Sequence, residues 1–199
     1  MAWEDHAKIA LKSFVELSTG MTPSESQWSD FCSYLRPKKF EKGAVFAEQD
    51  EKCDSIGFVY KGIFVFSVSD SEGVEKIKSF NGENGFVAAY TSFINGCPST
   101  FRVSAYEESY VLLIDSKSLR HLFDKEMIWQ KLGRLNAEQA YIRKETRESE
   151  LLILDAEERY QSFMNSHESV ADRIAGKDVA SYLGINPATL SRLRKKLGF

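Results

Sequence analysis

Residues 37–115 constrain the fold most. Short apolar or alternating runs (KKFEKG, AVFAEQD, SIGFVY, GIFVFSV, VEKIKSF, FRVSAY, YVLLID) follow one another there, separated by glycine and polar turns. Runs of this length, rich in Val, Ile, Phe and Tyr and bounded by turn residues, predict strands rather than helices. Lys61-Gly62 predicts a turn folding SIGFVY back on GIFVFSV, and Asp70-Ser71-Glu72-Gly73 a turn into VEKIKSF, so consecutive antiparallel hairpins are expected. Strands so short and so regularly spaced call for a sandwich, jelly roll or barrel. The NGENG run at 81–85, followed by FVAAYTSFI, breaks the pattern and predicts a glycine-rich bend leading into a short helical turn.

Helices flank this region. Trp3, Ala7, Ala10, Phe14 and Leu17 recur at steps of three or four, one face of an amphipathic helix, with Gly20 just past its end. Thr22-Pro23-Ser24-Glu25 combines a capping hydroxyl, a proline at the first helical position and a carboxylate that can reach back. A second helix is therefore expected to about Leu35, with Trp28, Phe31 and Leu35 inward. After a short helix near 116–123, residues 125–154 hold no proline and one glycine, which predicts one long helix. Leu132, Leu135, Gln139, Ile142, Thr146, Ser149 and Ile153 repeat along it at alternating three and four, a seam suited to pairing with a second helix. Four of the seven are apolar, so the seam is weak, and a solvated surface helix or partial packing on the strands is the competing reading. Asp155-Ala-Glu-Glu158 forms a capping box, placing a hinge where the next helix, AEERYQSFMNS, begins.

The chain ends KDVASYLGINPATLSRLRKKLGF. Lys177, Arg192, Arg194, Lys195 and Lys196 stand there against the single acid Asp178, a net of +4 that leaves −7 for the rest of a chain whose formal charge is −3. Val179, Leu183, Ile185, Leu190 and Leu193 supply apolar contacts between two short helices, and Ala180 is small enough for close approach. Gly184 falls where a turn needs positive φ. Asn186 can cap the second helix, with Pro187 at its first position, where a missing N–H costs nothing. With Leu190, Leu193 and Leu197 inward, Ala188, Thr189, Ser191, Arg192, Lys195 and Lys196 point outward. The pattern predicts a helix-turn-helix whose second helix enters the major groove of duplex DNA. Arg192 suits the O6 and N7 of a guanine, while Arg194, Lys195 and Lys196 suit phosphates; Asn186, Thr189 and the helix-start amides that follow Pro187, from Ala188 onward, also approach the backbone. The competing reading is a basic helix that docks a protein partner of a metabolite-sensing module.

No enzyme is expected, since no Ser-His-Asp, metal-ligand or nucleotide-cradling constellation is present. Cys32, Cys53 and Cys97 lie more than about twenty residues apart, which suits reduced thiols rather than disulfides or clustered metal sites. His6, His121 and His167 are equally scattered, so no cofactor is expected. No apolar run of about eighteen residues occurs and the first residues carry acids, which predicts a cytoplasmic protein without a membrane segment or export signal.

Taken with KGIFVF, the GEN-GF bend, PST and ERY at 158–160, the segment VASYLGINPATLSRLRKKL resembles the Crp/Fnr superfamily of bacterial transcription regulators over nearly the whole chain. The resemblance implies an α+β chain in three parts. Residues 1–124 would carry the N-terminal helices and a cyclic-nucleotide-binding-like β jelly roll (about 37–115), 125–154 a long dimerisation helix, and 155–199 an all-α helix-turn-helix domain. It implies a homodimer on near-palindromic duplex DNA, with RNA polymerase as a further partner and a small-molecule effector, or none, as the signal. It is most similar to the branch whose chains stop just after the recognition helix, because only Gly198 and Phe199 follow Leu197, leaving no room for the small β wing.

Cyclic-AMP binders of the family carry a glycine-glutamate bend, matched here by Gly82 and Glu83, and then an arginine-serine pair that neutralises the phosphate. Ser99 and Thr100 stand at that pair. Arg102, three residues beyond Ser99 on a strand, is expected on the opposite face. The long helix offers Lys144 and Glu145 where hydroxyls meet the base. An uncompensated buried phosphate is costly, so the resemblance implies an effector pocket around Gly82, Glu83, Ser99 and Thr100 that does not hold cyclic AMP tightly. The cysteine cluster of an iron–sulfur sensor and an axial histidine for haem are not found.

Overall fold

A computed structural model describes residues 2–69 and 72–198. Two helices open the chain, α1 (Trp3–Thr19) and α2 (Glu25–Ser33). Gly20 ends α1 in the left-handed conformation, as its position predicts. The buried stripe of α1 is Ala7, Leu11, Val15 and Thr19. Leu17, expected inward, is 87% exposed; the face turns by about one residue, because Leu11 and Val15 extend the step of four from Ala7 that Leu17 leaves. The cap of α2 is Ser24 with Gln27 as its reciprocal partner, two residues beyond the expected Thr22 and Glu25. Phe31 and Leu35 are buried and Trp28 packs beside them.

Eight strands follow: β1 (Arg36–Phe40), β2 (Val45–Ala47), β3 (Ser55–Lys61), β4 (Phe64–Ser69), β5 (Glu75–Asn81), β6 (Gly85–Val87), β7 (Arg102–Ala105) and β8 (Ser109–Asp115). They form two four-stranded sheets in the orders β1-β8-β3-β6 and β2-β7-β4-β5, paired antiparallel throughout. The β4–β5 hairpin is present, with Phe64 opposite Asn81 and Ser69 opposite Glu75; Asp70 and Ser71 of its predicted turn lie outside the described residues. The hairpin expected at Lys61-Gly62 does not form. Both edges of β3 are taken, by β6 and β8, so the chain at Gly62 leaves one sheet and enters the other. Gly62 has φ 104°, and a Cβ there would lie 2.1 Å from the Ser109 hydroxyl oxygen, so only glycine fits the crossing.

Strand alternation divides the apolar side chains between three cores. Phe40, Val59, Phe64, Val87, Val103 and Val111 fill the space between the sheets. Phe58, Leu112 and Ile114 point the other way, onto α1, α2 and two further helices, α4 (Ser116–Lys125) and the start of α5 (Met127–Ile153). The short α3 (Tyr90–Asn95) follows the glycine-rich bend as expected.

The apolar burial of the long helix is confined to its start, while near its far end Arg147 donates to the Tyr182 carbonyl and Glu150 accepts from the Ser162 hydroxyl. Ile128, Trp129 and Leu132 are buried, Trp129 stacking on Phe31 with ring centroids 4.4 Å apart. Leu132, expected at the head of the pairing seam, is thus spent in its own chain's core. Beyond it Leu135 is half-buried, while Gln139, Ile142, Thr146, Ser149 and Ile153 are exposed. At 154–155 the backbone turns extended and Asp155 caps α6 (Ala156–Ser166) with Glu158 completing the box, as the sequence predicts. A 3-10 turn (Ala171–Arg173) leads to α7 (Gly176–Leu183) and α8 (Pro187–Leu197). The third core joins these helices to the roll: Ile63 and Phe80 pack with Tyr160, Phe163, Val170, Ile174, Val179, Leu183 and Leu190.

Candidate nucleic-acid interface and effector bend

The turn between α7 and α8 is built as its residues dictate. Gly184 adopts φ 70°, and the Ile185 amide donates to the Ala180 carbonyl at 3.0 Å. Asn186 is extended and its side-chain oxygen accepts from the Thr189 amide at 2.8 Å, with Pro187 opening the helix. Ala180 and Leu183 are fully buried and Leu190 nearly so, which fixes α8 against α7.

That packing leaves Asn186, Pro187, Ala188, Ser191, Arg192, Lys195 and Lys196 exposed, and Thr189 half-buried. Arg192 lies along its own helix, its guanidinium 3.4 Å from the Ala188 carbonyl and 3.3 Å from the Thr189 hydroxyl, and among the described residues nothing else holds it. Lys196 pairs with Glu157 at 2.5 Å, and the bond from Glu157 holds its ammonium above the usual lysine range. Arg194, expected at a phosphate, is instead turned onto its own chain. Its Nε donates to the Tyr160 hydroxyl at 3.2 Å and its guanidinium lies 5.7 Å from that ring, tying α8 back to α6. The helical step from Leu190 puts position 194 beside it on the inner face.

The second candidate site is the bend at 82–85. Asn84 takes φ 57°. Glu83 accepts the Gly62 amide at 2.9 Å and is gripped by Arg173, at 2.9 and 2.6 Å. Burial alone would push the Glu83 carboxyl up; Arg173 and the Gly62 amide outweigh it and hold it below the usual range. Ser99 is buried, and its hydroxyl is spent on its own backbone, donating to the Phe101 carbonyl at 2.6 Å. Thr100 is exposed. Among the described residues, neither of them hydrogen-bonds Glu83. Arg102 pairs with Glu48 at 3.4 Å, and Lys144 with Glu148 on the exposed side of α5 at 3.5 Å. Lys78 sits 4.0 Å from the Phe101 ring centroid, and burial lowers its ammonium below the usual range.

Sequence reading missed Arg173. It lies in an unperiodic stretch some ninety residues beyond its partner, and no local pattern announces a contact of that reach.

Residues 37–126 match the family described as the cyclic nucleotide-binding domain. Among solved structures, FixK2 from Bradyrhizobium japonicum is similar over 82% of this chain and 84% of its own, with TM-score 0.71 and 20% identity. The c-di-GMP responsive global regulator CLP from Xanthomonas campestris is similar over 88% of this chain and 92% of its own, with TM-score 0.68 and 14% identity. A transcriptional regulator of the Crp/Fnr family from Eubacterium rectale is similar over 88% and 84%, with TM-score 0.68 and 12% identity. No curated protein matches the chain. Identities this low establish shared fold. No helix among the described residues is long and apolar enough to cross a membrane.

Proposed function

We propose that the protein is a Crp/Fnr-like transcription regulator that pairs along 125–154 and reads near-palindromic duplex DNA with the helix-turn-helix of 155–199, under a sensor of 1–124. The observation that carries this reading is the capped, rigidly backed α8, whose exposed face holds Arg192, Lys195 and Lys196 while its apolar face is buried. Pairing is supported by the exposed seam of α5, where Ile142 and Ile153 are 50 and 76% exposed, with Leu152 beside them 85% exposed. Apolar side chains in a row along a helix end ask for a cover. Two recognition helices so joined must stand about 34 Å apart to enter successive major grooves on one face of the duplex. Among the described residues, Arg173 is committed to Glu83 and Arg102 to Glu48, which supports a sensor that does not hold cyclic AMP tightly.

Selection of bound sequences from a random duplex pool tests the reading, with a palindrome of half-sites one turn apart as the expected result. An Arg192→Ala variant should lose roughly 1–3 kcal/mol of discrimination at one guanine. Recovery of no preferred sequence, or an unchanged ratio of specific to scrambled binding in the variant, refutes it. The competing reading, a sensor docking a protein through its basic helix, predicts no steep fall of duplex affinity with salt.

A further inference from the structure

We infer that Arg173 is an internal latch: it occupies the Glu83 bend of the roll and thereby holds the C-terminal helices in an arrangement that disfavours DNA. The inference rests on the DNA-binding reading above.

The ties are concentrated in one short stretch. Arg173 engages Glu83 through both terminal guanidinium nitrogens, at 2.6 and 2.9 Å, and also Glu107. Two residues on, the Ala175 amide donates to the Tyr106 hydroxyl at 2.8 Å, and that hydroxyl donates to the Asp178 carboxylate at 2.7 Å. Ser181 accepts the amide of Ile77, on the edge strand β5, at 3.1 Å. Beneath them Gly82 lies so close to Val170 that a Cβ would meet its methyl at 2.5 Å. The glycine-glutamate bend and the DNA-reading segment are therefore one contact surface.

The first helix of a helix-turn-helix crosses the phosphate backbone, and the amides at a helix start are its natural phosphate contacts. In the latched arrangement the amide just before α7 is taken by Tyr106, and two carboxylates of the roll, Glu83 and Glu107, grip Arg173 three residues before that helix. A phosphate approaching there meets acid and a spent donor. A ligand that offers donors to Glu83 must displace Arg173, and by reciprocity DNA and that ligand then favour the same released state.

Two variants test the latch against generic electrostatics. Arg173→Gln removes a cation, so charge alone would weaken duplex binding; release of the latch strengthens it. Tyr106→Phe changes no charge and should act in the same direction. With the duplex recovered by selection as probe and no effector added, each variant is expected to bind about fivefold or more tightly, the low end of allosteric couplings, with faster amide exchange at Ile77 and across 170–182. Affinity unchanged or weakened in both variants overturns the inference. Should the wild type select no duplex, the DNA-binding reading fails, and the latch is judged on exchange alone: an Ile77 amide exchanging no faster in Arg173→Gln refutes it.

Discussion

Replacing Phe80 by alanine should undo the C-terminal helices while leaving the roll that carries it folded. The ring is 4% exposed and meets three others: Tyr106 at 5.8 Å, Tyr182 at 6.0 Å and Phe163 at 6.4 Å between centroids. Two of the three are edge-to-face, an arrangement worth about 0.5–1.5 kcal/mol per pair beyond area burial. Truncating a buried phenylalanine costs about 3–5 kcal/mol. A helical segment of roughly 40 residues carries only about 2–6 kcal/mol of stability on its own scale, so the loss is of the same size as the whole. The neighbouring ion pair of Arg173 and Glu83, about a third and a quarter exposed, contributes about 1 kcal/mol or less; the aromatic cluster dominates the docking. Native-state hydrogen exchange reads the outcome. Amides of 156–197 should exchange roughly a hundredfold faster or more, since each 1.4 kcal/mol is a factor of ten, with α1, β3 and β8 little changed. If those C-terminal amides keep their protection to within about tenfold, or if the roll loses protection equally, the shared core does not stabilise the segment as argued here.

Two further outcomes are open to test. Gly62→Ala places a Cβ 2.1 Å from the Ser109 hydroxyl oxygen at φ 104°; overpacking of about 1–3 kcal/mol and a strained backbone of similar cost should lower the urea midpoint sharply, whereas Gly73→Ala, with open space at its Cβ, costs only the strain. Burial pushes His167 below its ordinary value, with Arg147 and Arg143 adding to this against Glu150 and the Phe163 carbonyl. A group depressed in the folded state contributes stability present above its unfolded value, near 6.5, and lost as pH falls below it. Glu83, also depressed, acts only near and below the carboxylate range, so a fall in stability of the C-terminal helices between about pH 6.5 and 5 should vanish in His167→Phe, as denaturant titration at the two pH values will show.

What the sequence made legible was local. Gly184, Asn186, Pro187 and the Asp155 box each act on residues within a turn, and all four stand where their chemistry predicts. Strand existence was equally local, since alternation is written residue by residue. Partner choice was not. Lys61-Gly62 has the composition of a hairpin turn, yet β8 and β6 claim both edges of β3, and no property of the dipeptide reports that competition. At the candidate site the same division holds: the outward face of α8 follows from its period, while the inward turn of Arg194 depends on Tyr160 and the capture of Glu83 depends on Arg173, both from distant segments.

The unequal anchoring of α5, apolar at its base and polar towards its tip, has a mechanical consequence. Its 27 residues make a rod of about 40 Å, held by apolar packing at Ile128, Trp129 and Leu132 and by the polar bonds of Arg147 to Tyr182 and Glu150 to Ser162 towards its tip. A tilt of about five degrees at the base displaces the tip of such a rod by roughly 3.5 Å. Repacking of Trp129 against Phe31 by less than an atom's width would thus stretch the bonds of Arg147 and Glu150 beyond hydrogen-bond reach, so the helices beyond Ile153 move only when those ties and the core around Phe80 give way.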